Sequence, residues 1–345
     1  MWGIGSRVRS PATGASRRAL AALALIGLGL AAAPVVFRMF DRAPQGAVMM
    51  REFATFMTDA RLNGFQRHIR DIDAGVREAD GHVSVALEGR GAAAHERFDR
   101  RFPAFAHFHD DWPPIHGDMS DLLDTIQTNA GNYRAVAALP SFRLFPWFFV
   151  IPGVLVLVLA TAAALAPRAW TTIRWALAAL GIGLVLAPVA FQMFERAPKG
   201  GRMMTAFKTI ETRENVETMQ GYFGTIAVGQ GALRLQVVPA LRRSGLDSLE
   251  VAQRFPDVAT LNRRWVAILN DLTPMIGAMS DNVDNYQAIA ALPPFALFPW
   301  FFVAPGVLVA GLALASGRRD RRILPRASAT GPLTTPSTPS QGGAT

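Results

Sequence analysis

Four stretches of this chain carry no charged residue over lengths that buried helices of soluble proteins rarely sustain: residues 19–37, 144–167, 175–194 and 285–317. At about 1.5 Å of rise per helical residue, roughly 20 apolar residues cross a hydrocarbon core of roughly 30 Å. The sequence therefore predicts an all-α membrane protein with transmembrane helices at 19–40, 144–167, 175–194 and 296–316. The first run follows Arg17-Arg18 and ends in Ala31-Ala32-Ala33, which also describes a cleavable signal peptide. Its mid-chain likeness, "LGIGLVLAPVAFQMFERAP" ending at Pro198 against "LGLAAAPVVFRMFDRAP" from Leu28, argues for an uncleaved anchor, because a mid-chain copy cannot be an N-terminal signal.

That likeness belongs to a longer duplication, the kind of signal to be sought before any motif. Phe40 to Pro44 matches Phe194 to Pro198, and Met49-Met50 matches Met203-Met204, at an offset of 154. Arg101-Phe102-Pro103, Trp112 and Asn132-Tyr133 match Arg254-Phe255-Pro256, Trp265 and Asn285-Tyr286 at an offset of 153. Each unit is one span, a long connecting segment (41–143 or 195–295) and a returning span. Two spans bring the chain back to its starting side, so the expectation is two tandem parallel repeats with a symmetry axis along the membrane normal.

The formal charge of +9 invites a nucleic-acid reading, but its distribution removes it. Residues 1–18, 167–174 and the tail from Gly317 hold eleven Arg against one acid, whereas 38–143 and 195–284 together hold 24 basic and 25 acidic residues. Basic residues concentrate in the short flanks that stay cytoplasmic. This predicts both termini inside a bacterial plasma membrane, a cytoplasmic N-terminus (1–18), a short cytoplasmic loop (168–174), a disordered cytoplasmic tail (317–345), and two extracytoplasmic segments. There is no cysteine, so neither segment is disulfide-stapled.

The extracytoplasmic segments read as helical bundles. Leu62, Phe65, Ile69, Ile72, Val76, Ala79 and Val83 recur at alternating steps of three and four, and Val216, Met219, Phe223, Ile226, Gln230, Leu233 and Val237 repeat that stripe with one polar exception. Thr58 and Thr212 precede the stripes as N-caps. Trp112-Pro113-Pro114 is expected to break a helix, and Thr273-Pro274 to start one. The near-identical strings "LFPWFFVIPG" from Leu144 and "LFPWFFVAPG" from Leu297 fall where the chain re-enters the membrane, with Trp147 and Trp300 as interfacial anchors and Pro152-Gly153 and Pro305-Gly306 as kinks.

Chemistry is sparse. "HFHDDWPPIHGD" places His107, His109 and His116 close in sequence as candidate metal ligands, yet the second unit has no His there and no metal or other cofactor is expected. No P-loop, Gly-x-Ser-x-Gly or His-Glu-x-x-His occurs. Aligning Trp112 with Trp265 sets Asp110-Asp111 against Arg263-Arg264, which suggests an inter-repeat contact, since residues related by a twofold axis meet only near it.

Arg-Ala-Pro-x-Gly after a span and Pro-Trp-Phe-Phe before its return resemble a group of actinobacterial integral membrane proteins with a helical extracytoplasmic segment between paired transmembrane helices. The resemblance covers 19–316 and implies an envelope protein, with no activity and no functional residue carried over. The leading expectation is a non-enzymatic envelope protein whose partners are the lipid bilayer and an envelope protein, lipid or cell-wall component, with no nucleic acid. The alternatives are a transporter or channel subunit for an apolar or lipid solute, and a membrane enzyme using the region His107–Asp118.

Overall fold

The computed structural model describes residues 17–321, and among them every regular element is helical. Four helical stretches are long and apolar enough to cross a membrane: Arg17–Val36, Phe142–Leu165, Pro167–Ala190 and Phe295–Ser316. They contain helices α1 (Arg17–Val36), α7 (Phe145–Leu165), α8 (Trp170–Ala190) and α14 (Phe298–Arg321). Helix α8 starts earlier than expected, because Pro167–Ala169 forms a 3₁₀ turn and Arg174 fits inside the helix, its guanidinium 5.5 Å from the Trp175 ring centre. The expected tail begins later, since α14 runs on to Arg321; the rest of it, and the N-terminal segment to residue 16, lie outside the described residues.

Helices α1 and α7 form one tight pair, α8 and α14 another. Glycine sets the approach. A Cβ on Gly153 would lie 2.6 Å from the backbone nitrogen of Ala31, and one on Gly181 would lie 2.6 Å from that of Ala310. Neither neighbour can move aside without separating the helices, so these positions admit only glycine at this spacing, the usual device of membrane helix pairs.

Between the spans lie α2 (Met39–Phe53), α3 (Asp59–Glu78), α4 (Ser84–Glu88), α5 (Ala92–Arg101) and α6 (Pro103–Ala137), then α9 (Met193–Phe207), α10 (Arg213–Ala232), α11 (Val238–Arg243), α12 (Ser248–Arg254) and α13 (Pro256–Ala290). The Thr58 and Thr212 hydroxyls accept from the amides of Arg61 and Asn215 at 3.3 and 3.2 Å, so both are N-caps. The stripe on α3 is buried throughout, whereas Phe223 on α10 is half-buried.

The first span also ends earlier than expected, α1 stopping at Val36 and α2 starting at Met39, and two boundaries expected within the connecting segments are absent. Helix α6 runs through Pro113 and Pro114, and α13 through Thr273-Pro274, so neither proline marks a boundary. All three prolines are exposed, as are Asp110 and Asn270, two of the residues whose carbonyls lose their helical donors; those carbonyls are on the solvent side. Buried Trp112, Ile115, Leu272 and Met275 hold the helices on either side.

The two connecting segments do not fold as separate bundles. Helix α2 packs on α13 and α9 on α6; α3 packs on α13 and α10 on α6, so each segment leans chiefly on the long helix of the other, and one hydrophobic core contains both. Arg-Ala-Pro-x-Gly encodes that crossing. Arg42 Nη1 donates to the carbonyls of Phe37 and Ala291, and Arg196 Nη1 to those of Phe191 and Ala138, tying the end of a span to the end of the opposite long helix. Ala43 and Ala197 are buried, and a Cβ on Gly46 would strike Ile289 at 2.4 Å. Below this, Phe142 meets Phe295, Phe145 meets Phe298 and Phe149 meets Phe302, with ring centres 5.7, 5.2 and 4.8 Å apart. In every pair the two rings belong to residues 153 positions apart.

Candidate functional site: a methionine-lined cavity

Where α2, α6, α9 and α13 converge, their side chains leave a small, nearly filled cavity of about 30 Å³. Helix α2 and the turn after it supply Met49, Met50, Phe53, Phe56 and Met57; α9 and its turn supply Met203, Met204, Phe207, Ile210 and Glu211. The long helices close it with Ile126 and Tyr133 from α6 and Met275, Met279 and Tyr286 from α13. Unbranched thioethers accommodate varied apolar shapes better than branched side chains do.

The polar groups are few. The Tyr133 hydroxyl donates to the Met50 carbonyl, and the Tyr286 hydroxyl to that of Met204 at 2.5 Å. Burial pushes the Tyr133 phenol up to about 12, and burial followed by the nearby Glu211 carboxyl raises Tyr286. Glu211 is the one carboxyl in the lining. It is 6% exposed, its Oε2 has no hydrogen-bond partner, and burial alone pushes its carboxyl up to about 8. Offset by 154, the equivalent residue of the first segment is Met57.

Other polar groups tie the segments together. His68 Nε2 lies 2.9 Å from Asp271 Oδ2, and Arg61 pairs with Asp271 Oδ1 at 2.6 Å. The His68 hydrogen bond, then that of Arg61, holds the Asp271 carboxyl below its ordinary value despite partial burial. The Tyr222 hydroxyl donates to Asp118 at 2.5 Å in the corresponding place. Glu78 Oε2 accepts from the Val258 amide at 2.8 Å at the start of α13; burial raises its carboxyl despite that bond.

The sequence candidates are dispersed. At about 100° per residue, His107 and His109 project from different sides of α6, and His116 is two turns beyond His109. His109 instead lies 3.6 Å from Asp80, His107 is exposed, and His116 packs at a tilt against Trp112 with ring centres 5.6 Å apart. Among the described residues no group of three His, Asp or Glu is placed to hold a metal ion. Asp110 and Asp111 are not paired with Arg263 and Arg264: Arg264 binds Asp71 at 2.5 Å, Arg263 Nη2 donates to Thr260, and Asp110 lies by His109. Trp147 and Trp300 are half exposed and meet Phe40 and Phe194 edge-on at 5.6 and 5.7 Å.

No protein-family model, curated protein or solved structure matches the chain. The reading of the site therefore rests on its own geometry. Sequence reasoning missed Glu211; its one signal was a carboxylate aligned with a methionine.

Proposed function

We propose that this chain is a non-enzymatic bacterial plasma-membrane protein, akin to the actinobacterial proteins it resembles, whose extracytoplasmic helical domain binds a small apolar ligand. The observation that carries this reading is the cavity between the two segments, lined by seven methionines and five aromatic rings. The space its side chains leave open is about 30 Å³, so a ligand enters by displacing methionine side chains, whose unbranched thioethers repack readily. Two tandem parallel repeats account for the arrangement: matched Phe pairs meet as residues near a twofold axis would, and the cavity takes equivalent residues from both sides. The charge distribution supports cytoplasmic termini.

The test uses full-length protein in nanodiscs with ¹³C-methyl methionine and 4-phenylbutanol as a neutral apolar probe. Methyl shifts are expected at Met49, Met203 and Met279, with methionines away from the cavity unmoved. An unchanged spectrum at millimolar probe refutes the reading.

One feature favours a second reading, transfer of an apolar or lipid solute. An open apolar groove of about 350 Å³ lies between α1 and α14, lined by Gly29, Phe37, Trp300 and Pro305. Liposomes containing the protein would then move a fluorescent lipid between leaflets faster than protein-free liposomes, and equal rates exclude transfer.

A further inference from the structure

We propose that a groove on the second segment, between α9 and the end of α13, seats the headgroup of an anionic phospholipid. The groove is open and holds about 960 Å³, at the upper end of small-ligand sites, roughly 300–1,000 Å³. One end is apolar: Leu292, Pro293, Pro294 and Phe295 line it, and Phe295 begins the fourth stretch able to cross a membrane. The other end carries Arg202, Thr205 and Lys208, from α9 and the turn after it. A lipid entering from the bilayer meets apolar walls first and two cations beyond them.

A phosphate is the complement these cations lack. The other basic side chains of this stretch have partners inside the protein: Arg196 holds the carbonyls of Ala138 and Phe191, and Lys199 pairs with Glu195 at 2.7 Å. Arg202 and Lys208 are exposed and pair with no carboxylate among the described residues, and no Asp or Glu lines the groove. On α13, Asp284 is taken by Arg213 at 3.4 Å. Thr205 donates its hydroxyl proton to the Gly201 carbonyl, so the charged donors left for a ligand are the guanidinium and the ammonium.

The first half of the chain lacks this arrangement. Offset by 154, Arg202 and Lys208 stand where it has Val48 and Ala54, and Ala206 stands where it has Glu52. Residues 193–208 hold two Arg, two Lys and one Glu, a formal +3, whereas 39–54 hold two Arg, one Asp and one Glu, a formal zero. The first half does carry Arg51 and Arg143 in place of Thr205 and Ala296, but Arg51 has the Glu52 carboxylate beside it at 3.9 Å. The second half thus gathers cations without a carboxylate at one groove. Met204 and Tyr286 are shared with the methionine cavity, but Arg202 and Lys208 line the groove alone.

The chain's only lysines are Lys199 and Lys208, and they serve as the two reporters. Full-length protein, its lysines ¹³C-methylated so that both keep their charge, is placed in phosphatidylcholine nanodiscs with rising fractions of phosphatidylglycerol, up to about one third. The Lys208 methyl signal is expected to shift and to saturate by about one lipid in ten, while Lys199, held by Glu195, stays in place. Arg202→Val, which installs the residue of the first half, should leave Lys208 unsaturated at one third. Equal, unsaturating movement of both lysines would show only a general surface potential and overturn the site. A Lys208 signal that ignores phosphatidylglycerol, or that saturates equally in Arg202→Val, would overturn it too. The same shift produced by sn-glycerol 3-phosphate in pure phosphatidylcholine would assign the groove to a free phosphate and overturn the lipid. Methionine shifts with 4-phenylbutanol do not depend on any of these results, so the cavity reading and this one fail separately.

Discussion

Glu211→Gln replaces the cavity's carboxyl by a group of the same shape that cannot ionise, so the difference in stability between the two proteins isolates one titration. The carboxyl moves from an ordinary 4.5 to about 8 on burial. The folded state therefore holds this proton more tightly than the unfolded state. Its contribution to stability is fully present below about pH 4.5 and is lost as pH rises toward about 8. At about 1.4 kcal/mol per pH unit the loss over that interval reaches about 5 kcal/mol. Near pH 4.5 the two proteins should melt at similar temperatures. By pH 8.5 the glutamine variant should be the more stable by several kcal/mol. Thermal unfolding followed by helical circular dichroism in one detergent, at pH 4.5, 7 and 8.5, reads the difference. Two stability profiles that stay parallel across this range to within about 1 kcal/mol would show that Glu211 is hydrated in the folded state and would refute its burial.

A periplasmic-only reporter inserted at the exposed turns of Gly91 or Gly245 should be active, and one fused after Gly317 inactive; an active C-terminal fusion refutes the four-span orientation. Ile72→Ala should cost about 2–5 kcal/mol on melting, and unchanged protein levels for Ile72→Asp would show the α3 stripe to be exposed. Gly153→Ala should lower the melting temperature and Gly29→Ala should not, because the new Cβ meets the Ala31 backbone in one case and no atom within 4 Å in the other; equal effects contradict the close α1–α7 packing. Reversing Asp71 or Arg264 alone should destabilise, and reversing both should restore much of the loss, whereas additive losses would dissolve the pair.

Much of this was legible locally. The spans follow from uninterrupted apolar length, and Thr58 and Thr212 follow from hydroxyl chemistry at a helix start. The stripe from Leu62 to Val83 gave the buried face of α3, but periodicity reports only that a face is covered, never by which helix. In a chain whose two halves read alike, α3 could use α6 or α13 with the same pattern, and the structure chiefly uses α13. The Pro113-Pro114 break failed for a related reason: whether a proline ends a helix depends on where the freed carbonyls face, which tertiary packing decides. Arg263, Arg264, Asp110 and Asp111 were read as partners from alignment with one another, yet α13 leans on α3, so Arg264 finds Asp71. The cavity was invisible because its methionines look like any other core.

The crossed packing of α3 on α13 also dictates an order in time. Helix α3 leaves the ribosome roughly 200 residues before its principal support is complete. At about 5–20 residues per second this is an interval of about 10 to 40 s. Until then the apolar face from Leu62 to Val83 is covered by elements of its own segment, among them Phe56 and, once made, α6. A chain halted after α7 would carry a complete span pair beneath an unfinished domain, so quality control acting on the nascent protein must tolerate an α3 that still lacks α13 until the second pair of spans has been made.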